Sequence, residues 1–126
     1  DPLKLLIVDG QNNHDWKATT PLMKQSLEEG GLCRVDVATT GPKDTSGFKP
    51  DFSRYQAVLS NYNGADWPKE TEQSLVDFVQ KGGGLVIVHA ADNSFPNWKE
   101  FNQMIGLGGW GGRNEKAAPY VRRRDE

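Results

Sequence analysis

The segment Leu3–Val8 is the feature that most restricts the fold. It is apolar except for Lys4 and is closed by Asp9-Gly10. A short apolar run ended by a turn signal is the pattern of a strand buried on both faces. Such a strand needs covering layers on two sides, and the signals that follow supply them. Thr20-Pro21 predicts a helix start, with Thr20 as N-cap, Pro21 at the first helical position and Leu22, Met23 and Leu27 on the inner face. Gly30-Gly31 ends that helix. Cys33–Ala38 alternates, Cys33, Val35 and Val37 on one side and Arg34 and Asp36 on the other, as a half-exposed strand near a sheet edge does. Thr39–Ser53 holds Gly41, Pro42, Gly47 and Pro50 and reads as a loop.

Tyr55–Ser60 is a third strand and Asn61–Gly64 a loop. Pro68 opens a second helix, in which Leu75, Val76, Phe78 and Val79 recur at helical spacing, and Gly82-Gly83-Gly84 stops it. Leu85–Val88 is expected as a fourth buried strand. Ser94 is expected to cap a third helix, with Pro96 in its first turn, Trp98, Phe101 and Ile105 on one face and Gly106 at its end. Strands alternating with helices give an α/β fold, a parallel sheet with helices on both faces and right-handed crossovers. At 126 residues the chain makes one domain, 1–126.

Fifteen basic against 17 acidic residues leave a net charge of −2, which excludes a strongly basic nucleic-acid module. The longest unbroken apolar run, Leu5–Val8, is far below the roughly 20 residues that span a bilayer, so no membrane partner is expected. A single cysteine, Cys33, allows no internal disulfide and no Cys-rich zinc framework, and reads as a small buried hydrophobe. The opening Asp1-Pro2-Leu3-Lys4 lacks the charged and apolar regions of a signal peptide. Arg122-Arg123-Arg124-Asp125-Glu126 reads as a solvated tail.

In an open parallel sheet, ligands bind outside the carboxyl ends of the strands. The first strand is followed there by Asp9-Gly10-Gln11-Asn12-Asn13-His14-Asp15-Trp16, the third by Asn61-Tyr62-Asn63-Gly64-Ala65-Asp66-Trp67, and the fourth by His89-Ala90-Ala91-Asp92-Asn93. Both histidines of the protein and two of its four tryptophans fall on this one edge. Amides and carboxylates beside flat aromatic faces suit a hydroxyl-rich ligand such as a sugar. A phosphate would want Lys, Arg or a glycine-rich turn before a helix, and the first loop has neither. His14 and His89 are each candidates for general acid/base work or for metal ligation, with Asp15 or Asp92 as further ligand or orienter. Each is equally open to a structural role, His89 as a hydrogen-bonded strand end and His14 as a loop cap. Gly106–Gly111 matches a dinucleotide pattern but follows a helix instead of a strand, so that geometry is absent.

Leu6–Trp16, Ser60–Gly64, Gly82–Asp92 and Ile105–Arg113, taken as an ordered set, resemble the ThuA-like (trehalose utilisation) family from Leu3 to about Tyr120. The resemblance implies a flavodoxin-like three-layer sandwich, similar to class I glutamine amidotransferases. Where those enzymes carry a nucleophilic cysteine, this chain has His89-Ala90-Ala91-Asp92, so thiol-based amide hydrolysis is not implied. The resemblance does imply carbohydrate metabolism, with a disaccharide, a glycoside or its 3-keto derivative as substrate. It also implies a divalent metal such as zinc, matched at His14, Asp15 and His89. The expected catalytic set is His89, His14 and Asp92. The expected sugar-binding set is Asn12, Asn13, Trp16, Asn61, Tyr62, Asn63, Trp110 and Arg113. Domains of this family run to about 200 residues or more, within the ordinary domain range, so the chain corresponds to an N-terminal part, with enzyme competence expected of the full length. The alternative reading is a non-catalytic carbohydrate-binding or interaction domain on the same scaffold. A third is a homo-oligomer contact through Gly106–Arg113. The expected setting is bacterial, periplasmic or secreted, with the cytoplasm left open.

Overall fold

The structure is a computed structural model that describes residues 1–106. Four parallel strands, β1 (Leu3–Asp9), β2 (Cys33–Thr39), β3 (Ala57–Ser60) and β4 (Gly84–Ile87), lie in the order β2-β1-β3-β4. Three α-helices, α1 (Trp16–Glu28), α2 (Lys69–Gln80) and α3 (Lys99–Ile105), and two 3-10 turns, Phe52–Arg54 and His89–Asn93, complete the elements. No helix among the described residues is long and apolar enough to cross a membrane.

The alternation of β1 splits the core in two. Leu5 and Ile7 join Val35 in one cluster, which Met23 and Leu27 of α1 cover. Leu6 and Val8 join Val58 in the other, which holds Leu75, Val76 and Phe78 of α2 and Phe101 of α3. Helices therefore lie on both faces, as a parallel sheet requires. The in-register row Val37, Ile7, Leu59, Val86 runs across the sheet on the α1 face. Ile7 is fully buried, whereas the row's ends, Val37 and Val86, are 40% and 46% exposed. α1 packs on β1 and β2 and leaves the β4 end of that row uncovered. The expectation of a buried fourth strand is thereby corrected: β4 is an edge among the described residues, with no residue fully buried.

Three local expectations also change. α1 starts at Trp16, not after Thr20. Asp15 is its N-cap and accepts a hydrogen bond from the Ala18 amide at 3.2 Å, so the helix runs through Pro21. A carboxylate serves a helix start better than a threonine does, because it also meets the positive end of the dipole. With that phase, Thr20 turns inward and Leu22 outward, the latter 61% exposed. Ser94 does not cap α3, which begins at Lys99 after Trp98. Its buried hydroxyl instead donates to the Tyr62 carbonyl at 2.5 Å, joining the β4–α3 connection to the loop after β3.

That connection packs as an aromatic cluster. Phe95, fully buried and held at φ 54°, has its ring centroid 4.9 Å from Trp67, 5.0 Å from Phe101, 5.1 Å from Trp98 and 5.6 Å from Tyr62. Aromatic pairs of this kind add about 0.5–1.5 kcal/mol each beyond their buried area. Phe95→Ala should therefore cost about 3–5 kcal/mol of stability, measured as a shift of the denaturant midpoint. A loss below about 1 kcal/mol would show that the cluster is not the hub described.

Candidate functional site

The strand order reverses direction between β1 and β3, since the chain leaves β1 for one side of the sheet and leaves β3 for the other. The carboxyl ends of these two strands flank the crevice where open α/β sheets bind ligands. Gly10 makes the exit from β1. It sits at φ +123°, and a Cβ there would lie 2.3 Å from Thr40 Oγ1 and 2.5 Å from Thr40 N, so the loops after β1 and β2 meet closely only because the position is glycine. Gln11 then ties three loops together. Its Nε2 donates to the Gly41 carbonyl at 2.9 Å, and its Oε1 accepts from the Ala65 amide at 2.8 Å. A Cβ at Gly64 would fall 2.2 Å from that Oε1.

His14 follows on the same loop, set by Asn12, whose Oδ1 accepts from the His14 amide at 3.0 Å. His89 arrives from the end of β4 at φ 47°, a left-handed conformation that side-chain-bearing residues seldom adopt and that gathers at functional sites. The two imidazoles meet with ring centroids 4.6 Å apart at an interplanar angle of 57°. Together with Asn12, Thr19, Asn61, Val88 and Ala90 they line a cavity of about 150 Å³. Both rings belong to exposed residues, so solvent and ligand reach them from outside.

The remaining expected residues divide by position. Asn61 is buried, and its amide nitrogen donates to Thr20 Oγ1 at 3.0 Å and Thr19 Oγ1 at 3.1 Å, which locks the start of α1 to the end of β3. Its carbonyl accepts from Asn12 Nδ2 at 3.3 Å. Asn63 Nδ2 donates to Asn13 Oδ1 at 3.2 Å, so this pair bridges two loops at the surface. Tyr62 is a correction. Its side chain is fully buried among Trp67 and Phe95, with its hydroxyl donating to the Ala65 carbonyl, so it faces the core and not a ligand. Trp67 is buried likewise. Trp16 lies half-buried in an open cleft with Asp9, Lys17 and Thr20, which neither imidazole lines. Asp92 is half-buried in the 3-10 turn and does not line the imidazole cavity. Trp110 and Arg113 lie outside the described residues. Thr19, absent from the expected set, does line the cavity. Only a helix start at Asp15 places it there, and the Pro21 signal obscured that start.

A catalytic zinc takes three protein ligands. The described residues bring two imidazoles together, and no three His, Cys, Asp or Glu side chains among them converge on one point. Asp15, the expected third ligand, directs its Oδ1 to its own helix start. The described residues alone therefore do not fit a metal.

An open four-stranded parallel sheet with helices on both faces is a flavodoxin-like α/β fold, and the paired imidazoles lie at its carboxyl edge. A family model described as trehalose utilisation, ThuA, matches residues 4–124, and the chain belongs to that family. The crystal structure of a ThuA-like protein from Parabacteroides merdae is similar, with 49% identity and a TM-score of 0.87 over 99% of this chain. This chain spans 46% of that one, about half its length. No curated protein matches.

Burial pushes the Tyr62 phenol up to about 12. An unfolded tyrosine releases its proton near 10, so between about pH 10 and 12 the unfolded chain binds fewer protons than the folded one, and stability falls as pH rises. Unfolding midpoints followed across that window should fall less steeply for Tyr62→Phe than for the native chain. Parallel slopes would contradict the burial of this phenol.

Proposed function

We propose that His14 and His89 form the acid/base pair of a sugar-processing enzyme acting on a disaccharide or glycoside in its 3-keto form, within the utilisation of trehalose or related sugars. The observation that carries this reading is the 4.6 Å approach of the two imidazoles at the carboxyl edge of the sheet. Imidazole is the side chain suited to giving and taking protons near neutrality. Membership of the ThuA family supports the sugar as substrate class.

The chemistry follows from the ketone. A carbonyl at C3 acidifies the proton on C2, and the glycosidic oxygen on C1 lies one carbon further. One imidazole removes the C2 proton, and that electron pair forms the C1–C2 double bond as the C1–O bond breaks. The other imidazole gives its proton to the departing oxygen. The balance is an elimination that needs no oxidant. Charge gathers on the ketone oxygen along the way, and the Asn12 side-chain amide, which donates one N–H to the Asn61 carbonyl and keeps a second, lines the same cavity. The cavity is below the roughly 300–1,000 Å³ of a site that encloses a whole small ligand, so it takes one edge of one sugar ring.

General acid/base groups contribute about 10²–10⁴-fold. His89→Asn, which keeps a residue tolerant of positive φ, and His14→Gln should each lower turnover of a 3-keto-disaccharide by about 100-fold or more in the protein that contains this chain, with its circular dichroism unchanged. Trp16→Ala should leave turnover within a few-fold. Turnover that survives both histidine changes, with sugar binding lost in Trp16→Ala, would replace this reading by the binding-module alternative.

A further inference from the structure

The opposite, amino end of the sheet carries a second cleft of different chemistry. Lys4 of β1 and Arg34 of β2 are direct in-register neighbours. Arg54, from the 3-10 turn, closes on them, and Asp36 and Tyr55 complete a cleft of about 210 Å³. Like charges side by side on adjacent strands destabilise a sheet. None of the three cations forms a direct ion pair among the described residues, where the ion pairs are Lys49–Glu70 and Lys69–Glu72. Asp36, the one acid in the cleft, accepts from the Tyr55 hydroxyl at 2.8 Å. The Arg54 guanidinium carbon stands 6.0 Å from the centre of the Tyr55 ring. Three cations against one carboxylate concentrate positive charge in a chain whose net charge is −2.

Tyr55 is also a wall of a larger neighbouring cleft, about 570 Å³, so the two clefts adjoin. Phe52 and Phe78 give the larger one an apolar floor, and Asp51, Asp77, Ser74 and Gln56 give it a polar rim. Gly83 fits closely there, because a Cβ would lie 2.3 Å from the Phe78 ring. Its volume is within the range of small-ligand sites.

We infer that these adjoining clefts bind a sugar phosphate, with the phosphoryl group among Lys4, Arg34 and Arg54 and the sugar ring beside Tyr55 over Phe52 and Phe78. Three donors from three separate elements suit a tetrahedral dianion better than a flat carboxylate, and the arginine forks match phosphate oxygens in pairs. The rim groups accept or donate to ring hydroxyls, and an aromatic face receives the sugar's C–H groups. This site is distinct from the imidazole pair and does not depend on the reaction proposed there.

The test is a titration of the 126-residue chain in low-salt buffer with glucose 6-phosphate, inorganic phosphate and glucose, followed by amide chemical shifts and calorimetry. Glucose 6-phosphate should saturate with shifts at Lys4, Arg34, Arg54 and Tyr55. Phosphate should move the same amides with lower affinity, and glucose should leave them unmoved. Arg34→Gln should weaken glucose 6-phosphate binding by about tenfold or more, and Asp36→Asn should strengthen it several-fold by removing the opposing charge. Both residues are exposed, so the fold should tolerate either change. Raising the salt should weaken binding as screening predicts. Equal binding of glucose and glucose 6-phosphate, absence of saturable binding at millimolar concentrations, or indifference to both substitutions would each overturn the proposal.

Discussion

The burial of β1 on both faces governs the rest of the molecule. Leu6, Ile7 and Val8 are at most 2% exposed, and full burial of such side chains contributes about 1.5–3 kcal/mol each. That gain exists only if one layer covers Ile7 and another covers Leu6 and Val8. The chain meets the demand by leaving β1 for β2 through α1 on one face and β3 for β4 through α2 on the other. The change of direction between these two crossovers places the crevice at the carboxyl ends of β1 and β3. Residues that follow β1, β3 and β4 are thereby brought together although the sequence separates them widely.

Much of this architecture was legible because it depends on local patterns. Apolar runs, glycine stops and the alternation in β2 depend on the period of each element, and the sequence carries that period directly. The errors have physical causes. Pro21 is a strong start signal, but α1 accommodates it inside the helix because Asp15 supplies the better cap. Tyr62 reads as a ligand-facing aromatic because it occupies the loop after β3, as does Trp67. They are buried because Phe95, at an unusual backbone angle, folds the β4–α3 connection over them. The approach of His14 to His89 depends on a positive φ at His89, which no residue pattern announces.

The two ends of the sheet differ in kind. At the carboxyl end, imidazoles, amides and a hydroxyl surround a small cavity, a mixture that handles protons and hydroxyl groups without a strong fixed field. At the amino end, charge of one sign accumulates on neighbouring strands. The first environment suits short-range proton transfer and the second suits an anion, and the length of the strands separates the two.

The Gln11 tie bears on how such a protein can change. Its two ends recognise opposite backbone groups, a carbonyl in the loop after β2 and an amide in the loop after β3. Turning the amide over would set donor against donor and acceptor against acceptor. The three loops around the crevice therefore do not vary as interchangeable cassettes. A graft that brings a new specificity loop from a related scaffold carries the geometry of its two neighbours with it, or it loses the shared contact that holds all three.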